Sequence, residues 1–230
     1  MKTIGLIGGM SWESSIEYYR IINESVKTRL GGLHSADCLM YSVDFAEIEI
    51  LQNAGEWDQL TQEMISASQR LERGGAGCLV ICTNTMHKMA DEVQAAIRIP
   101  LLHIADAAGA AIQAKELTTV GLIGTRFTME GDFYRGRLAE KFGLKVLIPD
   151  ETGRETVHRV IYDELVKGEI KEGSKKAFLA VIEGLQNCGA QGIILGCTEI
   201  PLLVKQTDVA IPIFDTTRLH AEAAVDWALN

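Results

Sequence analysis

A cysteine that ionises to the thiolate, placed where the backbone favours negative charge, is a side chain that can do chemistry. Two short segments of this chain carry candidate residues, Cys197-Thr198-Glu199 and Thr83-Asn84-Thr85. Each ends an apolar, strand-like run and precedes a helical pattern, where unpaired N–H groups and the helix dipole favour negative charge. A thiol so placed is expected to fall below its free pKa of about 8.5 and supply a thiolate near neutral pH. Thr83 offers a second polar side chain at the matching tip. Cys82 precedes Thr83, and because strand side chains alternate faces it reads as packing. His87 lies two residues beyond Thr85, placed either to orient a nearby group or to cap the first turn. His103 follows an apolar run and reads as a satisfied core histidine. Met10, Gln52 and Thr125 lie in or beside neighbouring loops as lesser candidates for ligand contact.

The elements that position these residues come in two copies. Lys2-Thr3-Ile4-Gly5-Leu6-Ile7-Gly8 recurs 116 residues later as Thr118-Thr119-Val120-Gly121-Leu122-Ile123-Gly124. Gly75-Ala76 with Leu79-Val80-Ile81 recurs 114 residues later as Gly189-Ala190 with Ile193-Ile194-Leu195, and Ile99-Pro100-Leu101-Leu102 recurs 112 residues later as Ile211-Pro212-Ile213-Phe214. Three blocks in one order with a slowly drifting offset indicate tandem duplication. At the 114-residue offset Thr83 is the counterpart of Cys197, Asn84 of Thr198, and Thr85 of Glu199.

Apolar β-branched runs alternate with amphipathic stretches at residues 14–30, 58–73 and 175–187, the pattern of parallel strands with helical crossovers. The expected fold is α/β, with two pseudo-twofold-related, doubly wound parallel-sheet domains. The first half is residues 1–103 plus 215–230, the second 104–214, and the weakly polar Lys115-Glu116-Leu117 is the expected joint. Ligands of open parallel sheets bind beyond the C-terminal strand ends, which directs attention to Gly8-Gly9-Met10-Ser11, Thr83-Asn84-Thr85, Gly124-Thr125-Arg126 and Cys197-Thr198-Glu199. The expected active site is the cleft between the halves.

Composition narrows the partners. A net charge of −9, with lysine and arginine scattered, leaves no basic footprint for nucleic acid or anionic lipid. No apolar run reaches a spanning length, and the N-terminus has no secretory pattern. The five cysteines include no CxxC and lack histidines at metal-ligand spacing, so free thiols in a reducing cytoplasm are expected. The Gly5-x-x-Gly8-Gly9 turn lacks both the dinucleotide and the P-loop spacings. A turn that brings a carboxylate close to backbone N–H groups accounts for it as well.

At these motifs the sequence resembles the aspartate/glutamate racemase family, along essentially its whole length. Gly196-Cys197-Thr198-Glu199 matches the family's second signature, Gly8-Gly9-Met10 its first loop, and Asn84-Thr85-x-His87 its first signature without the leading cysteine, which here is Thr83. The resemblance implies a homodimer that uses no pyridoxal phosphate or metal. It also implies two opposed catalytic residues, with Cys197 the base for an L-amino acid and Thr83 returning a proton to the other face. Asn84, Thr85, Thr198 and backbone N–H groups are expected to bind the α-carboxylate, with Met10, Gln52, Thr125 and Glu199 as further contacts.

Two departures bear on the substrate. Of the arginine and lysine that hold an acidic side chain in the family, the arginine is absent here and Lys167 lies one place out of register. The corresponding stretches read Asp44-Phe45-Ala46-Glu47-Ile48 and Tyr162-Asp163-Glu164-Leu165-Val166-Lys167. Gln52 or Lys167 remains available to an acidic substrate, with aspartate or glutamate ahead. A broad-specificity racemase of neutral amino acids such as homoserine is the alternative. Elimination, isomerisation or decarboxylation by the same thiol is another chemistry, and a non-catalytic amino-acid-binding protein is the reading outside catalysis.

Overall fold

Parallel strands cannot be joined by tight hairpins and need long crossovers, and this chain supplies one after nearly every strand. The computed structural model describes residues 1–230. The elements in order are β1 (Ile4–Gly8), α1 (Trp12–Leu30), β2 (Cys38–Ser42), α2 (Phe45–Ala54), α3 (Trp57–Arg73), β3 (Cys78–Ile81), α4 (Ala90–Ala95), β4 (Leu101–Leu102) and α5 (Ile104–Gln113). They continue with β5 (Thr119–Gly124), α6 (Arg126–Glu130), α7 (Asp132–Phe142), β6 (Lys145–Leu147), α8 (Glu151–Asp163), α9 (Glu172–Asn187), β7 (Ile193–Gly196), α10 (Ile200–Leu203), β8 (Ile213–Asp215) and α11 (Thr216–Leu229). No helix is long and apolar enough to cross a membrane, and none of the five cysteines is in a disulfide.

The chain divides into two units, Met1–His103 with His220–Asn230, and Ile104–Leu219. The first holds a parallel sheet ordered β2-β1-β3-β4, the second a parallel sheet ordered β6-β5-β7-β8. The strand order is the same in both, as a duplicated sequence requires. Lys115-Glu116-Leu117 is not the joint. It lies inside the second unit as the turn from α5 to β5, with Glu116 in the left-handed region at φ 57°. The expected return to the first half at residue 215 falls on β8, which pairs with β7 through Leu195↔Asp215, and the division lies within α11 instead.

Both faces of each sheet are covered, so the central strands are apolar throughout. In the first unit Ile4, Leu6, Cys78, Val80 and Cys82 face a core with Tyr18 and Ile22 of α1 and Ala224 and Val225 of α11. Ile7, Leu79 and Ile81 face the other core, with Leu60, Met64 and Leu71 of α3. In the second unit Ile193, Leu195 and Cys197 share a core with Val157 of α8 and Phe178 of α9. Ile194 turns to Val120, Leu122, Tyr134 and Phe214. Strand alternation thus puts Cys82 in the core, as expected, and commits Cys197 to the α8–α9 face.

Tyr134 on α7 is fully buried in that last core, and its hydroxyl has no hydrogen-bond partner. A buried, unpaired hydroxyl costs roughly 1–3 kcal/mol. Tyr134→Phe is expected to stabilise the second unit by about 1 kcal/mol, raising Tm by about 2–4 °C for a chain of this size. Thermal unfolding followed by circular dichroism measures it; an unchanged or lowered Tm shows that the hydroxyl is satisfied in solution.

Candidate active site

The β7 tip gathers three polar side chains in a buried position. Cys197, Thr198 and Glu199 are 7%, 4% and 2% exposed. The Cys197 thiol donates to Glu199 Oε2 at 2.9 Å, and the Thr198 hydroxyl donates to the same oxygen at 3.0 Å. Burial drives the thiol well above its ordinary range, and the charge and hydrogen bond of Glu199 push it the same way. This corrects the expectation of a depressed thiol pKa. Backbone N–H groups of Thr198 and Glu199 do act on the sulfur in the expected sense, but α10 has only four residues and carries little dipole. Resting Cys197 is therefore a protonated thiol bonded to a carboxylate.

β5 pairs with β7 through Gly124↔Gly196, which brings Thr125 beside this tip. A Cβ on Gly124 would lie 2.6 Å from the Gly196 carbonyl oxygen, so the two strand ends meet only as glycines. Thr125 is the N-cap of α6, its Oγ1 accepting from Thr128 N at 3.3 Å. Its hydroxyl thus has a structural task that the sequence reading did not assign.

The β3 tip holds Thr83 partly exposed while Ile81, Cys82 and Asn84 through His87 are buried. Burial pushes the Cys82 thiol far up, consistent with an inert core residue. The Thr83 N–H donates to the Ile81 carbonyl at 2.9 Å. Its own carbonyl lies 2.8 Å from His87 Nδ1. A carbonyl can only accept, so Nδ1 is the donor in this contact, and the ring is also hydrogen-bonded to the Leu102 carbonyl. Asn84 and Thr85 are 2% and 4% exposed at the start of a 3₁₀ turn, Thr85–Met89.

β1 pairs with β3 through Ile7↔Ile81, setting the Gly8–Ser11 loop beside the Thr83 tip. Gly9 takes φ +94°, and a Cβ there would lie 2.2 Å from the Val43 carbonyl oxygen. Its N–H donates to Ser15 Oγ at 2.8 Å, and Ser15 in turn donates to the Ser11 carbonyl. The glycine turn is therefore explained by packing against the chain after β2, and the Gly9 N–H is already paired within the loop. Met10 is buried there.

Gln52 on α2 is 3% exposed, and its Oε1 has no hydrogen-bond partner. One turn earlier, Ile48 belongs to the same core cluster as Met10. Asp44 is the N-cap of α2, accepting from Ala46 N at 3.1 Å. Lys167 is exposed in the 3₁₀ turn Leu165–Lys167, while neighbouring Glu164 is buried and accepts from Ser174 Oγ at 2.6 Å. The two stretches expected to hold an acidic side chain thus present carboxylates, and Lys167 is turned to solvent.

Sequence reasoning placed Glu199 among substrate contacts and missed its bond to the thiol. The signal was available in the spacing, since a residue two beyond a strand-end cysteine can fold back onto it. It also missed His220, whose ring meets that of His87 behind the β3 tip and which is hydrogen-bonded to Tyr18.

The profile of the Asp/Glu/hydantoin racemase family matches residues 7–224. The chain is similar to the solved structure of an Asp/Glu racemase candidate from Yersinia pestis, 56% identical with a TM-score of 0.93 and 100% of each chain covered. It is also similar to that of an aspartate racemase homologue from Pyrococcus horikoshii, 35% identical with a TM-score of 0.86 and again 100% of each chain covered. The broad specificity amino-acid racemase RacX of Bacillus subtilis is 22% identical over 239 residues, covering 98% of each chain.

Proposed function

The chain belongs to the Asp/Glu/hydantoin racemase family, and on that premise we propose that it racemises free amino acids without pyridoxal phosphate or metal, Cys197 acting as base on the L-isomer and Thr83 as opposite-face proton donor. One observation carries the assignment of the base: the Cys197 thiol is hydrogen-bonded to the Glu199 carboxylate at the end of β7. The thiol passes its proton to Glu199 Oε2, the thiolate takes the α-proton, and the electron pair left on carbon delocalises into the substrate carboxylate. The Thr83 hydroxyl then protonates the other face and recovers a proton from solvent, while Glu199 releases the one it took. Glu199 is thus assigned to the thiol rather than to the substrate.

Asn84, Thr85, Thr198 and nearby backbone N–H groups are the donors we assign to the α-carboxylate, where charge builds in the transition state. Met10 and Thr125 flank the two tips. Gln52 is assigned to the substrate side chain, since its buried Oε1 lacks a donor that a ligand N–H or O–H can supply.

Aspartate and glutamate are the leading substrates by family. The exposed Lys167 and buried Glu164 favour a second reading, a neutral polar side chain such as that of homoserine, because an acidic one without a cationic partner binds weakly. Enantiomers have equal free energy, so the equilibrium constant is one and kcat/KM must be equal in the two directions. The inequality of thiol and hydroxyl therefore shows in kcat and KM separately and in the pattern of proton exchange.

The test is proton NMR in D2O with no added cofactor, following α-deuterium uptake into both enantiomers of aspartate, glutamate and homoserine. Uptake with inversion is expected, and the ranking of substrates chooses between the two side-chain readings. Tight binding with no exchange in any of them overturns the racemase assignment in favour of a binding protein.

A further inference from the structure

Behind the β3 tip lie four buried side chains that the proposed reaction does not use. His87, His103, His220 and Tyr18 are 2%, 7%, 0% and 0% exposed. They come from four places in the fold: the 3₁₀ turn after β3, the residue after β4, α11 and α1. The His87 ring lies 4.6 Å from that of His103 and 5.5 Å from that of His220, centroid to centroid.

The proton positions follow from the partners. His220 Nε2 lies 2.7 Å from the Leu102 carbonyl, which can only accept, so Nε2 carries the proton. In neutral His220 the other nitrogen, Nδ1, accepts from the Tyr18 hydroxyl at 2.9 Å. Both nitrogens of His220 are therefore spent on structure. His87 meets the Thr83 carbonyl through Nδ1 and is also hydrogen-bonded to the Leu102 carbonyl, so two acceptors share its ring. Burial and the adjacent His103 and His220 rings hold His87 well below its ordinary range, against the opposite pull of its bonds to the Thr83 and Leu102 carbonyls.

We propose that His87 is a positioning residue for the opposite-face proton donor: by gripping the Thr83 carbonyl from a ring wedged against His103 and His220, it sets the place of the Thr83 hydroxyl and so decides what share of deprotonated substrate is inverted rather than returned. The inference rests on the roles given above to Cys197 and Thr83. Thr83 is the partly exposed residue of an otherwise buried tip, and its peptide groups are tied on both sides, N–H to Ile81 and C=O to His87. Proton transfer needs heavy atoms within about 2.6–3.2 Å. The tie at the carbonyl comes from a side chain whose ring is backed by α1 and α11 through Tyr18 and His220, so the first tip is referenced to the helices rather than to its own short turn.

The partition of exchanged L-substrate reads this directly. In D2O, deuterated L-product reports return of a deuteron from the Cys197 side, and deuterated D-product reports delivery from Thr83. His87→Leu is expected to lower the inversion-to-return ratio about tenfold or more, as misplacement of a reacting group does, while proton removal from L-substrate stays within about threefold. His87→Asn, whose side-chain N–H can take the place of Nδ1–H, is expected to restore the ratio to within about threefold of wild type. Inversion and return falling together, or an unchanged ratio in His87→Leu, overturns the proposal. Long-range ¹⁵N–¹H NMR of the wild-type protein tests it without turnover and without a variant that must fold: the Nδ1–H form of His87 is expected, and an Nε2–H form overturns it. Wild-type protein with no Cys197-dependent exchange removes the reaction on which the inference rests, an outcome separate from a wild type that exchanges and a His87 variant that keeps its ratio.

Discussion

Cys197→Ser is expected to lose α-deuterium uptake from L-substrates by about 10³-fold or more, within the range that a positioned acid–base group supplies. The replacement is nearly isosteric, and its hydroxyl can still donate to Glu199, 2.9 Å from the present sulfur. What it cannot do is ionise, because a hydroxyl in this buried place is a far weaker acid than the thiol. Binding of the L-substrate, measured by calorimetry, is expected to stay within about threefold, since no contact to the α-carboxylate is assigned to the sulfur. Exchange kept within tenfold of wild type removes Cys197 as the base. Exchange and affinity lost together point instead to a collapsed tip, which unfolding curves of the two proteins distinguish.

Much of this fold was legible because it rests on repeated local pattern. The three repeated blocks became strands in the same order in both sheets, and alternation alone placed Cys82 inside the core. What was not legible depended on neighbours distant in sequence or on burial. The helix-terminus argument for Cys197 weighed only the N–H groups near the sulfur. It gave no weight to desolvation or to the carboxylate two residues on, and those dominate. The Gly8-Gly9 turn looked like an anion cradle because the sequence does not reveal that Ser15 uses the Gly9 N–H, or that the Val43 carbonyl occupies the space of a Cβ. Lys167 lay near the family's register, but its place in a 3₁₀ turn beside buried Glu164 emerged only on folding. Sequence left His87 between orienting a nearby group and capping the first turn, and its contact with the Thr83 carbonyl emerged only on folding. Its support comes from Tyr18 and His220, at opposite ends of the chain.

Glu199→Gln separates two opposite effects of one side chain. The carboxylate raises the Cys197 thiol through charge and hydrogen bonding, so its removal lowers the thiol pKa even though burial persists. At neutral pH the thiolate fraction rises, and alkylation of Cys197 by iodoacetamide is expected to speed up by about threefold to tenfold, the midpoint of its pH profile moving down. The site must be read by mass spectrometry, because Cys188 is exposed and reacts on its own account. Racemisation is expected to move the other way, with proton removal from L-substrate falling by about 10²-fold, because glutamine cannot take the proton that the thiol must shed while substrate is bound. A carboxylate that only penalised the thiolate would make both rates rise on its removal, and one that only held the loop in shape would make both fall. Faster alkylation with slower racemisation is the one pair of results that requires Glu199 as the proton acceptor for Cys197.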